Sequence, residues 1–322
     1  MQSHRIGNTA VSVTDVSMGC ASIGNLGAAI SDEMAREVLE AAWEGGIRYF
    51  DTAPRYGSGR SEQRLGEFFA TRARDQFTVS TKVGRVLTPG AARAEAHGFI
   101  DPLPNDVHYD YSAEGFRRSL EGSRERLGVD YIDIVYVHDI GVYTHGEADN
   151  RRHMQPLMGD GLAYLAELKA QGRIGAYGLG VNESAICVEI MQSHPLDVIL
   201  LAGRWTLLDR QAEADLVPLC ARTGTRLVLG GIFNSGILAV GPKPGAWYDY
   251  APASEAILEQ VRELERAFAA TGTTLPHAAL QFGKTRPNVV SILIGTGNPA
   301  TLARNLEMLE NPLPPAALAL LG

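Results

Sequence analysis

The sequence predicts an α/β fold, a closed parallel (β/α)8 TIM barrel built as one domain over residues 1–322. Three observations predict it. Short β-branched runs alternate with longer amphipathic segments to the end of the chain, the pattern of a parallel sheet with crossover helices. Connections from a helix to the next strand are short, at Gly45–Ile47, Gly128–Tyr131 and Gly172–Gly175, whereas three from a strand to the next helix are long, at 84–111, 139–158 and 230–253. In a barrel, that asymmetry marks the C-terminal mouth as the elaborated, working face. With 322 residues, 45% of them hydrophobic, the chain can fill one large core. A doubly wound dinucleotide-binding sheet is the rival architecture. It needs a glycine-rich turn directly after the first strand, whereas Gly24-Asn25-Leu26-Gly27 lies within a long loop before the first helix.

The elements follow in order. Residues 5–17, with Gly7-Asn8, predict a small hairpin ahead of the repeats, and the first strand is Val16–Gly19. Ser31 caps the first helix, Asp32 and Glu33 complement its dipole, and Gly45-Gly46 ends it. Strand two covers 48–51, a helix 60–71 and strand three 77–82. The third helix has the plainest periodicity, with Phe116, Leu120, Ser123 and Leu127 on one stripe between a Ser112 cap and a Gly128 stop. Strand four is Ile132–His138, and Leu162, Leu165 and Leu168 mark the next helix, ended by Gly172. Strand five covers 176–180, its helix 183–191, strand six 198–201, its helix 212–222 and strand seven 226–229. Ser254 opens a helix carrying Ile257, Val261, Leu264 and Phe268, and an extra helix covers 276–285. Strand eight is 289–294, and Asn298 with Pro299 opens a last helix carrying Leu302, Leu306 and Leu309.

Composition narrows the function. The net charge of −8, from 29 basic and 37 acidic side chains with no basic block, argues against nucleic acid and anionic lipid as partners. No apolar run reaches the ~20 residues of a membrane span, and the first ten residues lack a signal-peptide core. Cys20, Cys187 and Cys220 are scattered and read as reduced thiols of a cytoplasmic protein. No His, Cys or carboxylate cluster has metal-ligand spacing, so no metal is expected. Partners are then a small-molecule substrate and, at most, further copies of the chain as a small homo-oligomer.

Four polar residues fall where strands end on the working face. Asp51 closes strand two with Tyr56 five residues on, Lys82 closes strand three and His138 closes strand four. Singly, each has an ordinary structural role: a loop cap, a packing ring, a solvated amine, a satisfied core imidazole. Their joint placement on three consecutive strand ends favours chemistry instead. A free phenol, with a pKa near 10, transfers protons poorly at neutrality, and a neighbouring ammonium favours the phenolate. Asp51 then holds Lys82 charged, and His138 orients a substrate oxygen beside Tyr56.

On these residues the chain resembles the aldo-keto reductases. The stretch Gly46-Ile47-Arg48-Tyr49-Phe50-Asp51-Thr52-Ala53-Pro54-Arg55-Tyr56-Gly57 is similar to the family's signature around its Asp and Tyr. Ser80-Thr81-Lys82 resembles its Lys strand, and Tyr131 to His138 its His strand. The resemblance implies a catalytic tetrad of Asp51, Tyr56, Lys82 and His138 and a nicotinamide coenzyme across the barrel mouth. It implies coenzyme contacts at Gly19 and Cys20 after strand one, at Asn182 after strand five, and in the loop Gly230, Gly231, Ile232, Phe233, Asn234, Ser235 and Gly236. It extends them to Gly295, Thr296 and Gly297 after strand eight and to Arg304 and Asn305 on the last helix. Where the family often places Gln, the chain has Ala202. NADP-using relatives hold the 2′-phosphate with basic residues near the strand-eight loop, and 295–303 contains none, so NAD is the expected preference, with NADP possible through Arg304.

Within the family, the Gly-Leu-Gly-Val-Asn stretch and the Gly-Gly-Ile-Phe-Asn-Ser-Gly loop look closest to NAD-linked sugar dehydrogenases of the D-threo-aldose and L-fucose group, with pyridoxal 4-dehydrogenase a near neighbour. Oxidation of an aldose at C1 to the lactone is therefore the expected reaction. Phe99, Tyr143, Trp205, Trp247 and Tyr248 are candidate pocket walls, with Trp205 and Tyr248 foremost. A general aldehyde or ketone reductase, a Schiff-base aldolase using Lys82 and a cofactor-sensing regulatory subunit are the other classes considered. Asp51 beside Lys82 argues against the aldolase, which needs an unpaired amine.

Overall fold

A computed structural model describes residues 1–322. Eight parallel strands close a barrel: β1 (Val16–Gly19), β2 (Tyr49–Asp51), β3 (Thr78–Val83), β4 (Ile132–His138), β5 (Ile174–Val181), β6 (Val198–Ala202), β7 (Arg226–Gly230) and β8 (Val289–Ile294). They pair in sequence order, and β8 returns to β1 through Ile294 beside Met18. Residues alternate between two cores, as a closed sheet requires. Tyr49, Ile134, Tyr136, Ala176, Val198 and Val228 point into the barrel, and their neighbours pack outward against the helices. The N-terminal hairpin pairs Ser3–Arg5 with Ser12–Thr14. Its Ile6, Val11 and Val13 join the interior cluster and plug the end of the barrel away from the strand C-termini.

The capped helices form where their signals lie. In α1 (Asp32–Glu44) the Ser31 hydroxyl accepts from the Met34 N–H, and in α2 (Arg60–Phe69) a polar outer stripe faces solvent. In α3 (Ala113–Leu127) Ser112 accepts from Gly115, and Gly128 stops the helix with φ 64°. The final core-packed helix keeps its Asn298 cap, which accepts from Ala300 and Thr301.

Three segments differ from the sequence reading. The 139–158 connection is largely α4 (Val142–Pro156), followed by one wide turn at Leu157–Gly161 that feeds α5 (Leu162–Ala170). Only Asn150 of α4 is buried, so the helix has no apolar stripe to announce it. After α6 (Ala185–Met191), the 212–222 helix breaks into a 3-10 turn at Gln211–Glu213 and α7 (Leu216–Thr223), because Asp215 leaves helical backbone at φ −126°. The 84–111 connection carries a hairpin, Arg85–Pro89 against Asn105–Tyr109, that stands up from the mouth beside β3.

Candidate active site

The C-termini of β2, β3 and β4 bring the four predicted residues to one place. Asp51, Lys82 and His138 are delivered by buried strands and Tyr56 by the 3-10 turn Tyr56–Gly59 after β2, so burial is the site's first property: Asp51, Lys82 and His138 are buried and Tyr56 is half-buried. The Lys82 ammonium donates to Asp51 Oδ2 at 2.6 Å, to the Thr52 carbonyl at 2.9 Å and to the Tyr56 hydroxyl at 3.0 Å. An ammonium has three donors, and all three are used. Tyr56 oxygen therefore accepts, which leaves its own proton free for a group in the mouth. The Tyr56 ring stacks on Phe99 at 5.8 Å and meets the His138 ring edge-on at 5.9 Å.

A second set of residues, not anticipated from the sequence, continues inward from Asp51. The Ser80 hydroxyl donates to Asp51 Oδ1 at 2.7 Å; Tyr49 OH lies 3.0 Å from Ser80 Oγ, and Tyr136 OH lies 3.0 Å from Tyr49 OH. A carboxylate can only accept, so donor counting orients the chain: Tyr136 to Tyr49, Tyr49 to Ser80, Ser80 to Asp51. All of these groups are buried inside the barrel. The alternating positions 49, 80 and 136 were readable as inward-facing, but only the register of β2, β3 and β4 sets their hydroxyls side by side.

The electrostatics follow from this burial. Burial works against the Lys82 charge, but Asp51 and Tyr56 outweigh it and raise its pKa. For Tyr56 the balance differs from the expectation of a lowered pKa. Burial raises it first, Lys82 opposes second, and the net direction is up, so Tyr56 is a neutral phenol at pH 7. For His138, burial and then Arg85, Lys82 and Arg55 push the pKa well below its ordinary range, which keeps the imidazole neutral. Its Nδ1 has no protein partner, and its Nε2 lies 3.4 Å from Asp139 Oδ2.

The remaining candidates surround this centre unevenly. Gly19 sits at the end of β1 against β8, but the Cys20 side chain is fully buried toward the Met18 carbonyl and its N–H is held by Asp51 O, so Cys20 offers a coenzyme nothing. Asn182 is half-buried at the mouth; its amide lies 3.4 Å from both Ala202 O and Tyr250 OH. In the 230–236 loop, Ile232 is turned into the core. The Asn234 side chain is also spent, accepting from Thr206 at 2.6 Å and donating to Gly203 O at 3.1 Å. Of Ile232 and Asn234, only the main chain is left to meet a coenzyme. What the loop presents is backbone, together with Phe233, Ser235 and the glycines. Gly231 has φ 60°, and a Cβ there would meet Gly203 N at 2.9 Å. The loop thus runs flush against β6 and leaves a smooth cradle, as a pyrophosphate requires. Thr296 accepts from the Asn298 N–H, Arg304 is exposed one turn into the last helix against Thr301, and Asn305 is buried on that helix's inner side.

Trp205 is corrected as well. It is 2% exposed, bonded through Nε1 to Glu213 and packed edge-on against Phe282, so it belongs to the core rather than to a pocket wall. Tyr248 is half-buried, with its hydroxyl on Asp209 at 3.3 Å. Arg204 ties the mouth together: it donates to Asn182 O at 2.7 Å and to Asp249 at 2.8 Å, and Asp249 also accepts from Tyr143 OH at 2.9 Å. The long loop after β7 is thereby drawn across the ends of β5 and β6. A groove of about 450 Å³ lies at the opposite end of the barrel, where Arg74 is already paired with Asp133 at 2.5 Å. No helix is long and apolar enough to cross a membrane.

A family model described as the aldo/keto reductase family matches residues 15–321. The chain belongs to the aldo/keto reductase family. It is 38% identical over 320 residues to a pyridoxal 4-dehydrogenase of Microbacterium luteolum, covering 96% of this chain and 93% of that one. It is 37% identical over 302 residues to a D-threo-aldose 1-dehydrogenase of a Pseudomonas species, covering 92% and 89%. Among solved structures, a holo-form aldo-keto reductase from Bacillus halodurans superposes with a TM-score of 0.78 at 22% identity, covering 99% of this chain and 96% of that one, a likeness of fold. As a member of the aldo/keto reductase family, the protein is an oxidoreductase that works with a nicotinamide coenzyme and a small-molecule carbonyl or alcohol substrate.

Proposed function

We propose that the protein oxidises an aldose of the L-fucose or D-threo-aldose type at C1 to the lactone, with NAD preferred over NADP and Tyr56 transferring the proton. The observation that carries the chemistry is the exhausted Lys82 ammonium, which makes Tyr56 oxygen an acceptor and leaves its proton facing the mouth. When bound, the nicotinamide supplies the hydride acceptor in oxidation and the hydride in reduction. The residues that fit it are Gly19, Asn182, the backbone of the 230–236 loop, and Gly295, Thr296, Gly297 and Asn305; the Gly231 cradle is the observation that supports this fit.

The chain's own residues do the rest. His138, neutral, holds the C1 oxygen by a hydrogen bond beside Tyr56. In oxidation, Tyr56 as phenolate takes the C1 hydroxyl proton, and the Lys82 ammonium stabilises that phenolate across 3.0 Å. Asp51, held by Ser80, keeps Lys82 in place and charged. In reduction the same phenol donates.

For the coenzyme, 295–303 supplies no cation, and Arg304 is exposed and engaged with Thr301, which supports NAD. The 38% identity to a pyridoxal 4-dehydrogenase favours a second reading, oxidation of pyridoxal at the same centre. The test is an initial-rate panel of L-fucose, other aldoses, pyridoxal and simple aldehydes with NAD and NADP. The first reading expects kcat/KM with L-fucose and NAD to exceed that with pyridoxal, and NAD to exceed NADP by at least about tenfold. Faster turnover of pyridoxal supports the second reading, and an NADP efficiency equal to that of NAD overturns the coenzyme preference.

A further inference from the structure

The residue after His138 departs from ordinary backbone. Asp139 has φ 48°, the left-handed region, which strains a non-glycine residue and is tolerated best by Asp and Asn. Its N–H is fixed on Gly180 O at 2.9 Å, so the turn is locked between β4 and β5. The consequence is positional: the Asp139 carboxylate lies against the reacting imidazole, with Oδ2 3.4 Å from His138 Nε2. Behind it stands Arg85, from the strand that follows β3, donating to the same Oδ2 at 2.6 Å. Arg85 is 3% exposed, lies over the Tyr109 ring, and carries buried Nε and Nη1 groups with no acceptor, so Asp139 is the only hydrogen-bond partner of its side chain. Asp139 is 13% exposed, and its Oδ1 receives no protein donor. One oxygen is clamped by Arg85, and the other has no protein donor.

We infer that Asp139, braced by Arg85, is the subsite that accepts a hydroxyl on the carbon adjacent to the reacting carbon. This rests on the reading of Tyr56 and His138 as the place where the reacting oxygen sits, and it names the substrate class that reading lacks: a neutral α-hydroxy aldehyde or its cyclic hemiacetal. With His138 Nε2 only 3.4 Å from the nearer carboxylate oxygen, the imidazole and the carboxylate are close enough for one substrate to reach both through oxygens on adjacent carbons. His138 takes the first oxygen, and Asp139 accepts from the second. A substrate with an anionic group at that carbon meets a like charge and is refused, and one with hydrogen there forgoes a charge-assisted bond and leaves the carboxylate desolvated without a partner.

The test compares lactaldehyde with propanal, which differ by that one hydroxyl, both reduced by the full-length enzyme with NADH. Wild type is expected to prefer lactaldehyde by about 10- to 100-fold in kcat/KM, mostly through KM. Asp139→Ala should erase the preference, lowering kcat/KM for lactaldehyde by about 10-fold or more beyond any loss on propanal. Asp139→Asn, which keeps an acceptor and the backbone tolerance, should restore part of it. A wild type indifferent between the two aldehydes overturns the inference without any variant, and so does an Asp139→Ala loss of equal size on both. L-fucose oxidation with NAD is measured alongside. Its absence while the lactaldehyde preference holds removes the sugar assignment and leaves the subsite standing.

Discussion

Lys82 decides the chemistry at the scale of single residues, because its three donors leave Tyr56 only one role toward it. Two predictions belong here. Lys82→Met strips the phenolate of its counter-charge and leaves Asp51 buried and unpaired. It should lower kcat by at least about 100-fold and cost about 3–5 kcal/mol in denaturant unfolding. The second concerns pH. Burial holds Tyr56 above its usual value and His138 well below its own. Oxidation needs the phenolate, so its kcat/KM should climb with pH through the alkaline range. Reduction uses the neutral phenol and should fall only there. Neither profile should show a break near the usual imidazole value of ~6.5, since His138 is already neutral; a break there that disappears in His138→Gln contradicts the assignment. Asp51, Tyr56, Lys82 and His138 were legible because chemistry confines them to strand ends after apolar runs. Ser80, Tyr49 and Tyr136 were not, because their link exists only across three strands. The direction of the Tyr56 shift was misjudged for a related reason: sequence shows the neighbouring ammonium but not the depth of burial that outweighs it.

At the scale of elements, loops do the binding and strands hold them in register. Gly231 is the sharpest case, since its left-handed backbone, and the Gly203 nitrogen that a Cβ would meet at 2.9 Å, leave no room for a side chain. Gly231→Ala should raise the coenzyme's Kd by about tenfold or more, measured by fluorescence titration, with a smaller effect on kcat once coenzyme is saturating. In the proposed function, the loop after β8 carries the coenzyme choice. Gly297 has ordinary backbone, and a Cβ there would touch Ile30 at a comfortable 3.4 Å, so a long side chain fits. Gly297→Arg should improve the NADP-to-NAD ratio of kcat/KM by about tenfold, and an unchanged ratio would mean that the 2′-phosphate lies elsewhere. Strands and capped helices were legible because each carries a local signal: Ser31, Ser112 and Asn298 cap as their spacing indicated. The helix Val142–Pro156 was not, because its sequence has no apolar stripe, its backbone kinks at Gly146, and its N-terminus is anchored only in the fold, through Asn150 and Glu183. Trp205 was misplaced for the converse reason, since an aromatic in a mouth loop turned inward to pack on Phe282, with its indole N–H on Glu213.

For the whole molecule, the barrel concentrates buried titratable groups at one end and an apolar plug at the other. His145, beside His153 at 4.4 Å between rings, is held at a pKa of about 4 by burial and then by that neighbour, and His138 is lower than usual as well. A base depressed in the fold is neutral there and protonated in the unfolded chain below its ordinary value near 6.5. Stability should therefore be full above that value and decline as pH falls toward 4, seen as a falling urea midpoint, with His145→Gln flattening the decline. The central claim, that one phenol held by one ammonium moves the proton of an oxidoreductase, is tested most directly by Tyr56→Phe. With saturating coenzyme and substrate, turnover in either direction should drop by about 100- to 10,000-fold while coenzyme affinity, read by fluorescence titration, stays within a few-fold of wild type. Turnover preserved in that variant contradicts the account.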